Sequence, residues 1–230
     1  MQASVKVKVK VIKMKTRVKI DFVSDVVCPW CIIGLNSLQR ALDSLGNEID
    51  ADLHFQPFEL NPAMPAEGQD INEHLTEKYG LTPQQLDQNQ EMIRQRGEEV
   101  GFRFDMAKRT RTYNTFDAHR LSHWAELQGR QQALERALFE AYFTDGENPG
   151  DHEVLIRLAE KVGLDAEGAK EVLATDAYAA EVRERQRFYQ EQGINSVPSI
   201  IINDRYLVQG GQPSEAFVQA LRQVAAKQPQ

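Results

Sequence analysis

The alternation of apolar and polar positions sets out most of the chain's elements. Val18, Ile20, Phe22 and Val23 fall in a largely period-two stretch over 18–24 that predicts a strand. Leu35, Leu38, Leu42 and Leu45 then recur at helical spacing and stop at Gly46, a natural residue to follow a helix. Pro29 suits the first turn of that helix, where its missing N–H is of no consequence. Leu53, Phe55 and Phe58 alternate over 51–58 and predict a second strand, which runs out into the loop sequence FELNPAMP. From about 70 to 192 no convincing strand pattern occurs. Helical periodicity appears instead over 70–79, 83–99, 114–128, 131–143, 151–162, 166–173 and 176–192. Turn signals at Gly80, Gly129, Asn148-Pro149-Gly150 and Gly163 separate these stretches. Strands return at Ser199–Ile202, after Val197-Pro198, and at Tyr206–Gln209, after a turn at Asn203-Asp204. Gly210-Gly211 leads to Pro213, read as the first residue of a last amphipathic helix carrying Phe217, Leu221 and Val224. The predicted order is β-α-β, a long helical block, then β-β-α.

Length and composition narrow the class. The 230 residues suffice for one domain, or one domain with a large insertion, and 41% apolar with 27% charged residues is an ordinary globular composition. No run approaches the ~18 apolar residues of a membrane span. The formal charge is −7, but the first twenty residues carry seven basic residues and no acid, which leaves 20 basic against 34 acidic residues in the rest. So acidic a body argues against nucleic acid as a partner. The N-terminus lacks the apolar core of a secretory signal, and the expected location is cytoplasmic. Its Val/Lys alternation over 5–13 reads as extended chain, with an added edge strand, a tail or a basic arm as the alternatives.

The chemistry starts from the two cysteines, Cys28 and Cys31, which enclose Pro29 and Trp30. A bridge across so short a loop stabilises little, so a lone C-x-x-C in a reducing compartment reads as catalytic or metal-binding. The motif sits where a strand passes into a helix. Disulfide exchange needs a thiolate, and an ordinary thiol is only a few per cent ionised at neutral pH. The free N–H groups and positive end of a helix favour the anion at Cys28. Cys31, one turn on, is placed to attack a mixed disulfide, with Trp30 exposed beside the sulfur. Zinc is the rival reading, since His119 and His123 form H-x-x-x-H, but the spacer from Cys31 to His119 is far longer than that of a compact finger; no metal is expected.

The chain resembles the DsbA-like family of thioredoxin-fold proteins, in its FrnE branch, which is related to 2-hydroxychromene-2-carboxylate isomerases and kappa-class glutathione transferases. The resemblance is carried by Ser24-Asp25 with Cys28-Pro29-Trp30-Cys31, by Phe58-Glu59-Leu60-Asn61-Pro62, and by Asn114-Thr115 with Ala118-His119-Arg120. Ser196-Val197-Pro198 and Gly210-Gly211-Gln212-Pro213 complete it, and it runs from about 17 to 226. It implies an α/β thioredoxin-like fold with a large all-helical insertion. The thioredoxin-like part spans 17–64 and 193–230, the inserted helical domain 65–192, and an N-terminal extension 1–16. It also implies a cis Pro198 facing the cysteines, with the Val197 backbone free to pair with substrate. Substrate contacts at Ser196, Asn114 and His119 follow from the same likeness. Asp25 has two open readings, a first-turn acid or a proton acceptor for Cys31. Related isomerases and transferases usually have serine where Cys28 stands, so cysteine there points to redox chemistry.

The expected function is a thiol–disulfide oxidoreductase, with isomerase activity in scope, acting on protein or peptide thiols. It needs no prosthetic group, and glutathione is the redox partner implied by the family. A glutathione-dependent isomerase or transferase of an aromatic small molecule is one alternative; a non-catalytic binding or chaperone module is the other.

Overall fold

The computed structural model describes residues 15–227. The extended segment expected over 5–15 lies, Lys15 apart, outside the described residues.

Four strands form the main sheet: β1 (Thr16–Ser24), β2 (Ile49–Pro57), β5 (Ser199–Ile202) and β6 (Tyr206–Gln209), in the order β2-β1-β5-β6. β1 runs parallel to β2 through the crossover helix α1 (Pro29–Leu45) and antiparallel to β5. Being central, β1 is covered on both faces, and its second half is buried throughout. Phe22 pairs with Phe55 on one side and Ile200 on the other, and the two rings lie 5.6 Å apart. α1 buries Leu35, Leu38 and Leu45 and ends at Gly46, whose φ of 44° lets its N–H return to the Leu42 carbonyl.

After β2 the chain runs through α2 (Ile71–Tyr79), α3 (Pro83–Glu99), α4 (Phe116–Leu127), α5 (Gln131–Glu140), α6 (His152–Lys161), α7 (Ala166–Ala174) and α8 (Ala179–Glu191) before re-entering the sheet at β5. The last helix is α9 (Ser214–Ala226), packed against α1. α4, α5 and α8 reach the sheet at β2. The edge of β2 is closed by a side chain: Gln131 accepts from the Phe55 N–H and donates to the Phe55 carbonyl, both at 3.0 Å, as a neighbouring strand would.

Three local expectations are corrected. The 70–192 block is not free of strand: Gln69–Asp70 (β3) pairs antiparallel with Arg111–Thr112 (β4). Two residues per strand leave no alternation to read, and Asp70 serves mainly as the N-cap of α2, accepting from Asn72 and Glu73. The helix expected over 131–143 ends at Glu140 and continues as one π-helical turn, Ala141–Asp145, which buries Tyr142 and Phe143. Pro213 stands at the N-cap of α9 rather than inside it, because its ψ of 156° is extended.

Candidate active site

α1 opens on Cys28 at its N-cap, with Pro29 in the first turn. The Cys28 side chain caps no helical amide; its thiol donates to the Val197 carbonyl across 3.6 Å. The Val197–Pro198 bond is cis. Two glycines permit this closeness: a Cβ at Gly34 would stand 3.2 Å from Pro198, and one at Gly211 only 3.0 Å from the Trp30 carbonyl. Trp30 is therefore half-buried against Gly211, not exposed as expected.

The two cysteines are free thiols in unlike surroundings. Cys28 is 4% exposed and Cys31 wholly buried. Burial pushes the Cys31 thiol well up, and its hydrogen bond to Cys28 and the charge there push the same way; a hydrogen bond from the Asp25 main chain opposes them. Cys31 thus holds its proton until something takes it.

Asp25, whose main chain bonds to Cys31, is itself fully buried. Its carboxylate does not cap α1. One oxygen accepts from the Leu60 N–H at 2.7 Å; the other lies 3.4 Å from the Val27 N–H and 3.6 Å from Nε2 of His119. That imidazole, 3% exposed, also donates from Nε2 to the Phe58 carbonyl at 3.1 Å, so the proton is assigned there because a carbonyl can only accept. Burial works against a charge on His119, yet its hydrogen bond to Asp25 and the charges of Asp25, Glu135 and Glu59 outweigh it and raise its pKa.

The FELNP segment supplies the walls of this arrangement. The Phe58 N–H returns to Ser24, the Phe58 carbonyl takes His119, and the Leu60 amide takes Asp25. Glu59 points the other way, to Arg183 and, at 3.0 Å, to Gln186. Lys78 clamps the outside of the loop, donating to Leu60 O at 2.8 Å and Asn61 Oδ1 at 2.7 Å; burial lowers its pKa while Asp25 partly restores it. The neighbouring phenol of Tyr79, 56% exposed, lies in electrostatic range of Cys28, although burial is the larger cause of its raised pKa.

Cys28, Cys31, Asp25, His119, Val197 and Pro198 thus come together, with Pro29 and Trp30 in the first turn of the helix. Ser196 is exposed beside them, its carbonyl taken by the Ser199 hydroxyl. Asn114 is occupied elsewhere. It donates to Met64 O at 3.1 Å and accepts from the Phe116 N–H at 2.9 Å, tying the loop after β2 to the start of α4. Arg120, next to His119, binds the carbonyls of Val172, Thr175 and Ala177 and holds α7 to α4. His123 turns away from His119 toward Tyr178 and Glu126. Among the described residues no group of three or more His, Cys, Asp or Glu is placed to hold a metal ion.

A dithiol opening the first helix of a β-α-β unit, against a cis-proline loop, defines a thioredoxin-like protein. The chain belongs to the DSBA-like thioredoxin domain family, which it matches over residues 19–222. It is similar to a probable DsbA oxidoreductase from Streptomyces coelicolor, with 33% identity, 93% of this chain and 92% of that one covered, and a TM-score of 0.86. The uncharacterized protein YwbO of Bacillus subtilis is 28% identical over 89% of this chain and 96% of its own length. A 2-hydroxychromene-2-carboxylate isomerase shares the fold alone, at 16% identity and a TM-score of 0.66 over 92% of this chain and all of that one. No helix among the described residues is long and apolar enough to cross a membrane.

Proposed function

We propose that the protein is a thiol–disulfide oxidoreductase of the FrnE type that works on protein or peptide disulfides, with Cys28 attacking and Cys31 resolving. The observation that carries this reading is the unequal pair itself. Cys28 stands at a helix N-terminus on the substrate-facing carbonyl of Val197, while Cys31 is sealed beneath it next to Asp25. The Val197 main chain, whose carbonyl meets only the weakly donating Cys28 thiol among the described residues, offers an extended partner a place to pair, which favours a polypeptide substrate. Isomerase activity follows where Cys28 releases a mixed disulfide before Cys31 acts. Glutathione fits as the small reductant, and having just two cysteines, both in this site, fits a reducing cytoplasm. We also read 65–192 as an insertion into the thioredoxin-like part, because it delivers His119 and Lys78 to the loop around Asp25.

In the reducing direction the Cys28 thiolate bonds to one sulfur of the substrate disulfide and expels the other. Cys31 then bonds to Cys28, its proton passing to Asp25, and the second substrate thiolate leaves. The test is insulin reduction with dithiothreitol. We expect the protein at micromolar concentration to bring forward precipitation of the free B chain relative to dithiothreitol alone. An unchanged lag, together with glutathione-dependent turnover of an aromatic small molecule, would contradict the proposal.

A further inference from the structure

We propose that a water-sized cavity behind His119 is a proton exit, in which Glu135 and His123 carry to solvent the charge displaced when Cys31 gives up its proton. The inference rests on the dithiol reading above and concerns how charge is rebalanced, while substrate covers Cys28, once Asp25 has taken that proton.

The cavity is about 10 Å³, the least that holds one water molecule. His119, Ser122, His123, Gln131, Glu135 and Arg185 supply its polar lining. Two buried side-chain atoms of the lining residues have no hydrogen-bond partner, Glu135 Oε2 and His123 Nδ1, the latter 3.8 Å from Glu126 Oε2. The other Glu135 oxygen is held by the Ser122 hydroxyl at 2.5 Å, and the residue is 1% exposed. A buried carboxylate oxygen and an imidazole nitrogen without hydrogen bonds, on two residues that line one small polar cavity, are groups that a bridging water can serve. Gln131, one helical turn before Glu135, is fixed by its two bonds to Phe55 and forms the adjoining wall of the cavity.

The line has two ends. Inside, His119 Nε2 is committed to Phe58 O and Asp25, so Nδ1 is the ring atom left to serve the cavity. Outside, His123 and Arg185 also line an open cavity of about 560 Å³ that reaches Lys19 and Phe188. Charges surround Glu135 from several elements: His119 and His123 from α4, Arg185 from α8, and Asp25 from the loop after β1, while Glu126 of α4 pairs with His123 and Arg185. Burial pushes the Glu135 carboxyl up, and Asp25 adds to this; His119 and Ser122 oppose it. A carboxyl whose burial favours its protonated form can pass a proton between groups on either side of it.

Cys31 loses its S–H proton to Asp25 as its sulfur bonds to Cys28, and the Cys28–substrate bond breaks. The departing substrate thiolate is protonated from solvent. The dithiol is oxidised by two electrons and the substrate disulfide is reduced. Asp25, now neutral, no longer holds a charge on His119, whose Nδ1 proton passes through the water and Glu135 to His123 and out. When a dithiol reductant restores the pair, Asp25 returns its proton to Cys31 and His119 is recharged from the cavity.

Glu135 and His123 are positioning residues here, so the test must read the proton. Stopped-flow Trp30 fluorescence separates attack, which depends on substrate concentration, from resolution, which does not. Glu135→Gln should slow resolution about tenfold at pH 7 and alter its pH profile, with attack within about twofold of the parent. His123→Ala should slow resolution less, with recovery on adding imidazole. Should Glu135→Gln not fold, His123→Ala at the outer end decides alone. Parental resolution rates and pH profiles in both variants, with Cys31→Ser still halting after attack, would overturn the exit and leave the dithiol reading intact; a lowered melting temperature with no kinetic change would overturn it likewise. Full turnover by Cys31→Ser would remove the dithiol reading and the exit together.

Discussion

Replacing Cys28 with serine should lower insulin reduction by at least about a thousandfold, to the level of dithiothreitol alone. A serine hydroxyl is not ionised at neutral pH, and oxygen cannot form the mixed disulfide through which exchange proceeds. The substitution is nearly isosteric, and a serine hydroxyl can still donate to the Val197 carbonyl that the thiol meets at 3.6 Å. The fold should therefore survive, with a loss of no more than about 1 kcal/mol by chemical denaturation. Such a profile separates chemistry from stability. A variant that kept a tenth of the parental rate would show that another group starts the reaction.

Asp25→Asn is expected to be the second most damaging change, and it acts on a different step. The amide oxygen can still accept the Leu60 N–H, so the loop after β2 should keep its course. It cannot take a proton from Cys31. Resolution should slow by about a hundredfold, while attack by Cys28 changes little. Stability should respond with a definite sign. His119 is raised by Asp25 despite burial, so the stability it contributes is full below its ordinary value of 6.5 and is lost as pH rises through its higher folded value. Without the carboxylate that contribution goes. The variant should be less stable than the parent by about 1–3 kcal/mol near pH 5.5, and the gap should narrow toward pH 9. Thermal unfolding across that range checks it; a gap that widens with pH would refute the Asp25–His119 pairing.

How much of this was legible in the sequence depends on the kind of signal. The extents of α3, β5 and β6 agree with the pattern residue for residue, since an amphipathic helix between clear turn signals and short apolar runs beside Pro198 and Gly210 leave little choice. Cys28, Cys31 and Pro198 were legible from chemistry and family likeness. The walls of the site were not. The Leu60 N–H that holds Asp25 is a backbone group, available to any residue at that place, and the FELNP motif carried no role until its loop closed around the carboxylate. Asn114 was expected at the substrate, yet it serves as a tie between loop and helix. Glu135 did leave a trace: it lies four after Gln131 and three before Leu138, on a face that is otherwise buried. A charge on an apolar face can equally be a boundary residue, and only the packing of α5 on β2 shows where it ends.

The most direct test of the central claim is the fate of Cys31→Ser after one encounter with a disulfide substrate. In the proposed mechanism Cys28 attacks, and Cys31, the one other cysteine of the sequence, is left to finish. Incubated with a disulfide-bonded peptide, the variant should accumulate a covalent adduct, seen by intact-mass spectrometry as the protein plus the peptide, joined through Cys28 and released by dithiothreitol. Complete turnover to free peptide thiols, with no adduct at any time, would contradict the account.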